Sequence, residues 1–379
     1  MRYLLALIAV LALTVAACSG EEADEGNPAD YEEVSEPESE PEPEPEPEPE
    51  EEPEPEPDPE PQPVAPLTGS PIADEDDLER PVAAIKIDNH PRARPPSGLE
   101  DADIVMTAVI EGGETRFVAL FHSTDPGRVG PIRSARETDA NLLPAFDPVV
   151  GISGAAPPVH SQLANAGLLV YEEAQVPGFE RDPSRRAPHN LYVSPSGLWD
   201  AAGDLPPASE PWPIDALDLV GADPAEPPEG GGEIDGIDLR FSPYASAAWR
   251  WDGERWLRDQ QGGPHLDDAG EQFGAANVVV VRVGLTPVGR TDAANQPVYD
   301  LDIIGEGEAV VLRDGRAYEA HWRKDGAGEQ FRWETPDGEP LPLGAGPTWV
   351  EFVPLDGTAD LVGPPGEAAD EASEGDAGA

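Results

Sequence analysis

One cysteine among 379 residues excludes any internal disulfide, so packing or a ligand must hold this chain together. Basic side chains are also scarce, 23 against 77 acidic ones, and the net charge of −54 argues against a nucleic-acid backbone as partner. Residues 19–79 hold 26 acids and no base, and residues 356–379 hold 7 acids and no base. The chain has no G-x-S-x-G, no H-E-x-x-H and no glycine-rich phosphate loop, so nucleophilic catalysis has no signature and no cofactor is expected. Long apolar runs are missing as well. The longest, Leu4 to Val15, is too short to span a bilayer.

That short run follows a basic Met1-Arg2 start and ends at Val15-Ala16-Ala17-Cys18, a small-residue cleavage site that closes on the only cysteine. The pattern is similar to a bacterial lipobox, with valine where leucine is commonest. It predicts a signal peptide at 1–18, lipidation of Cys18, and an extracytoplasmic protein held to the cell membrane by its acyl chains. Residues 19–79 then read as a disordered stalk, because Glu36 to Pro63 is nearly a pure Glu-Pro repeat that cannot bury surface to offset its ordering entropy.

Folded sequence begins near Arg80. Strand-like runs at 82–87, 104–110, 117–122, 149–153 and 168–171 alternate with a helix at 157–166 that starts on proline and stops at Gly167. From 237 onward, short apolar runs lie beside Asp252-Gly253, Asp314-Gly315, Asp325-Gly326 and Asp337-Gly338, the turn chemistry of antiparallel sheets. The expected class is α+β. A mixed α/β domain at 80–205 and a mainly antiparallel β domain at 234–355 flank a Pro- and Gly-rich hinge at 206–233, and residues 356–379 form a disordered acidic tail.

The stretch Gly130-Pro131-Ile132-Arg133-Ser134-Ala135-Arg136-Glu137 stands out. Ser134 and Glu137 have the spacing of a capping box, which predicts a helix from Ala135 to Leu143. Arginines are disfavoured at a helix N-terminus, yet Arg133 and Arg136 flank the cap. Two readings remain open: an anion site built from guanidiniums and free backbone donors, or arginines paired with nearby carboxylates.

Several motifs carry a resemblance. Ile87-Asp88-Asn89-His90-Pro91, Glu111-Gly112-Gly113-x-Thr115-Arg116-Phe117, the Gly130 to Arg136 run, Ala187-Pro188-His189-Asn190-Leu191-Tyr192 and the closing Gly346-Pro347-Thr348-Trp349-Val350 lie in the order found in the DUF3048 family. Residues 80–355 resemble these YerB-like bacterial lipoproteins. The resemblance implies a lipoprotein of two domains and brings no catalytic residues with it.

Chemistry therefore rests on the residues. Between 80 and 199, ten arginines and one lysine face fourteen acids, so positive charge collects where the unusual turns are. If those turns meet at one sheet edge, Arg116, Arg133, Ser134, Arg136, Arg185, Arg186 and Asn190 would bind an anionic or wall-derived ligand. Asp88, His90, Glu111 and His189 are the candidates for acid–base work, with a histidine as base and a carboxylate orienting it. Asp88 with the two histidines matches no metal-ligand spacing, so no metal is expected. A non-enzymatic envelope lipoprotein that binds such a ligand or an envelope partner is the favoured function. A hydrolase or transferase using His90 or His189 is the alternative.

Overall fold

Six residues, Ala-Ala-Ile-Lys-Ile-Asp, form the strand β1 (Ala83–Asp88), buried along its whole length. Side chains alternate across a strand, so Ala83, Ile85 and Ile87 face one apolar layer while Ala84, Lys86 and Asp88 face the other. β1 runs antiparallel to β3 (Thr115–Phe121), which pairs antiparallel with β2 (Ile104–Val109). On its other edge β1 runs parallel to β4 (Val149–Gly151), and β4 to β5 (Leu169–Tyr171). Three short helices, α1 (Asp139–Leu142), α2 (Pro157–Asn165) and α3 (Pro195–Ala202), complete this half. Leu142, Val159 and Leu163 fill the layer beneath Ala84, and Leu198 fills the opposite one.

The computed structural model describes residues 64–72, 79–203 apart from Ala174, and 228–363 apart from Ala293. The expected signal peptide with Cys18, the Glu-Pro repeat and most of the expected hinge lie outside the described residues. Within them the fold is sheet-rich, with few helices. The later residues extend the same sheet. The strand Thr348–Pro354 runs parallel both to β2 and to Asn277–Thr291, and Gly305–Arg313 and Arg316–Lys324 continue outward to make twelve strands. Asp314 and Gly315 both take left-handed φ, 52° and 72°, the type I′ turn that the Asp-Gly pair foretells between these last two strands. A second sheet of six strands, including Gly236–Arg240, Ser246–Trp251 and Trp256–Gln260, covers the face that carries Ile85 and Phe117.

Four expectations change. The two halves share one sheet instead of forming separate domains, because the C-terminal strand Thr348–Pro354 is the parallel partner of β2. Residues 64–72, assigned to the stalk, are partly core: Ala65 and Leu67 are 1 % exposed, and the Thr68 carbonyl accepts from Gly346 N–H at 2.8 Å. Residues 356–363, assigned to the tail, include the strand Thr358–Val362, which pairs with Gly236–Arg240. Gly232–Glu233, assigned to the hinge, pairs with Arg316–Ala317.

Candidate functional site

A fifth change concerns the local helix expected around Ser134. The helix is only Asp139–Leu142, and its cap position is Thr138. Residues 130–135 are drawn out because tertiary partners take their backbone groups. Arg133 N–H donates to the Lys86 carbonyl at 2.8 Å, Ala135 N–H to Gly154 at 3.0 Å, and the Pro131 carbonyl accepts from Asp88 N–H at 2.9 Å. Of the donors that a first turn after Ser134 would leave free, Ala135 N–H is taken by Gly154 and Arg136 N–H by the Asp139 carboxylate at 2.7 Å. Glu137 pairs with Arg290 instead of closing the box.

This laid-down segment closes a polar cluster at the C-terminal end of β1. Asp88 and Arg116 are cross-strand partners and so share a face, with Lys86 two residues before Asp88 on the same side. The Asp88 Oδ2 lies 2.7 Å from His189 Nδ1, and Arg133 Nε lies 3.1 Å from the same oxygen, out of hydrogen-bonding alignment. The His90 ring stacks on His189 at 4.7 Å. Arg136 Nε donates to Glu111 at 2.8 Å, and Lys86 Nζ to Asp139 at 2.6 Å in full burial. Burial lowers the Lys86 pKa, against the opposing pull of Asp139.

Arg116 differs from its neighbours. Its Nη1 donates to the Ser134 carbonyl at 3.0 Å, its Nε has no partner, and no carboxylate among the described residues pairs with it. At 6 % exposure, burial first and then Arg136 and Arg133 push its pKa down to about 9. A guanidinium under that pressure is one that a bound anion would relieve.

The remaining expected site residues have other duties. Ser134 is neither cap nor donor here; its carbonyl accepts from Arg116 and Arg136. Arg185 donates to the carbonyls of Ala93 and Pro95 and so ties two loops together. Arg186 is exposed, and its carbonyl accepts from His189 N–H at 3.1 Å. Asn190 accepts from Arg181 Nη1 and donates to the Asp182 carbonyl, holding the loop that presents His189.

A second polar cluster had no signal in the sequence. On the opposite face, Arg258 and Glu351, both 0 % exposed, meet at 3.0 Å, and Trp249 Nε1 donates to the same carboxylate oxygen. Arg258 also contacts Gln260 and His265, and its guanidinium lies 4.9 Å from the Trp349 ring. Burial, then Arg258 and Arg94, hold His265 well below the usual imidazole range. The alternation of Trp256, Arg258 and Gln260 on one strand is the only hint, and a strand alternating outward would look the same.

Comparison with known proteins places this geometry in context. Residues 67–207 match the N-terminal domain, and residues 237–350 the C-terminal domain, of a family described as "Protein of unknown function (DUF3048)". The chain is 28 % identical over 298 residues to the Bacillus subtilis (strain 168) protein named "Putative lipoprotein YerB", covering 76 % of this chain and 86 % of that one. The crystal structure of YerB protein from Bacillus subtilis is similar at a TM-score of 0.66 and 27 % identity, over 79 % of this chain and all of the other.

Proposed function

This chain belongs to the DUF3048 family, and from that membership we propose that it is an extracytoplasmic lipoprotein, anchored through Cys18, that binds an anionic ligand at the end of β1. The anchor is supported by the apolar run that ends at Cys18 and by the printed name of the Bacillus subtilis relative. The binding half rests on Arg116, a buried guanidinium with an unpartnered Nε set between two further arginines. Arg133 and Arg136 are about one-fifth exposed, at 22 % and 21 %, and form the rim through which a ligand would approach. A phosphate, sulfate or carboxylate there would take charge-assisted hydrogen bonds, each contributing about 1.5–3 kcal/mol.

The test is thermal stability with and without anion. Millimolar phosphate or sulfate, against chloride at matched ionic strength, should raise the melting midpoint of the wild type; saturation near 100 Kd corresponds to about 2.7 kcal/mol. Arg116→Met should lose most of that rise. An equal rise in the variant, or none in the wild type, would remove the proposal.

A hydrolase or transferase is the second reading, and one contact favours it. Asp88 accepting from His189 Nδ1 would leave Nε2 as the basic nitrogen, with His90 fixing the ring by stacking. Among the described residues no Ser, Thr or Cys side chain is hydrogen-bonded to either histidine, so the nucleophile in that reading is water.

A further inference from the structure

Beside the turn whose Glu111 pairs with Arg136, a cleft of about 470 Å³ opens between residues 109–113 and the hairpin turn 241–245, with Tyr299 and Asp356 on its other walls. We infer that this cleft is a binding site for a neutral saccharide chain. The inference is independent of the anion site.

Its walls are fixed and its aromatics are bare. Tyr244 is 70 % exposed and Tyr299 40 % exposed. The Tyr244 backbone is nevertheless pinned: its N–H donates to Ser242 Oγ at 3.0 Å, and its carbonyl accepts from Gln261 Nε2 at 2.9 Å. Ser242 Oγ in turn donates to the Gly113 carbonyl, which locks the hairpin to the turn. Gly113 sits at φ 76°, and a Cβ there would come within 2.9 Å of Ser242 Oγ, so only glycine permits this approach. An aromatic side chain held outward on an ordered backbone offers contact area at little entropic cost to binding.

The lining chooses among ligand classes. Ile110 and Leu285 make the apolar part, and Gln296, Arg240 and Asp356 make the polar part. None of these three polar side chains is hydrogen-bonded to another described residue. One cation and one anion give this lining no net charge that would favour a phosphate or a metal ion over a neutral ligand. An extended peptide would look for open backbone donors, yet the N–H groups of Gly113, Ser242, Tyr244 and Ala245 are all engaged. A sugar ring suits what remains. It has an apolar C–H face for the tyrosine rings and hydroxyls that both donate to carboxylate or amide oxygens and accept from guanidinium or amide nitrogens.

The test is titration of the full chain carrying Cys18→Ser with chitotetraose and cellotetraose, followed by calorimetry. At least one should bind, and Tyr244→Ala and Tyr299→Ala should each weaken it roughly tenfold or more, since stacked aromatic contacts contribute beyond their area. Their melting midpoints should match the parent, because both rings are exposed, and Arg116→Met should bind the sugar normally. Absence of binding by the parent at millimolar sugar, or binding indifferent to both tyrosines, would overturn the inference. So would an extended peptide that binds in a Tyr244-dependent way where the sugars do not.

Discussion

Arg133 and Arg136 show how a residue's neighbours decide its meaning. The sequence offered two readings, an anion site or pairing with carboxylates, and each arginine does have a carboxylate, Asp88 or Glu111. Their pairing transfers the question to Arg116, which has none. On the opposite face, the buried His265 is a residue whose titration should be felt. Its folded pKa is depressed, so below the unfolded value near 6.5 the unfolded chain takes up a proton that the native state refuses. Stability tied to His265 is thus full above pH 6.5 and lost as the pH falls below it. His265→Gln keeps an acceptor for Arg258 and removes the proton site. Melting curves from pH 8 downward should show a shallower acid decline in the variant than in the wild type, and parallel declines would contradict this assignment.

Elements formed where the local pattern agreed with the tertiary demand. β1 and the Asp314-Gly315 hairpin were readable because alternation and turn chemistry are local. The Ser134 capping box failed because Ala135 N–H goes to Gly154 and the Glu137 carboxylate to Arg290. Residues 64–72, Val-Ala-Pro-Leu-Thr-Gly-Ser-Pro-Ile, were missed since two prolines and a glycine break any apolar period, although Leu67 is buried in the main core. Leu67→Ala should cost about 2–5 kcal/mol, the range for truncating a buried leucine. Deleting 19–63 should leave the melting midpoint nearly unchanged, while deleting 19–72 should lower it by at least as much as Leu67→Ala does. Equal midpoints for the two deletions would show that this segment contributes nothing.

At the scale of the molecule, the two halves depend on each other. β2 pairs with Thr348–Pro354 from Ile104↔Thr348 to Thr107↔Glu351, and Trp349 Nε1 donates to Thr107 Oγ1 at 2.7 Å. Splitting the chain would strip both of these strands of a neighbour and open a sheet edge in mid-core. Residues 64–203 and 228–363 expressed separately should therefore lack cooperative melting, and the intact chain should unfold in one calorimetric transition. A fragment 64–203 with a sharp melt of its own would refute the shared-sheet account.

What the sequence determined by itself is what depends on near neighbours or on composition: strands by alternation, hairpins by Asp-Gly pairs, the excess of acid, and the family by motifs in order. Only the tertiary structure decided which charges meet. Asp88 lies 101 residues from His189, and Arg258 lies 93 residues from Glu351. No period or spacing in a chain records contacts at such separations. Burial then sets their strength, because a guanidinium such as Arg116 is held by water when exposed and must find other acceptors, such as the Ser134 carbonyl, when water is removed.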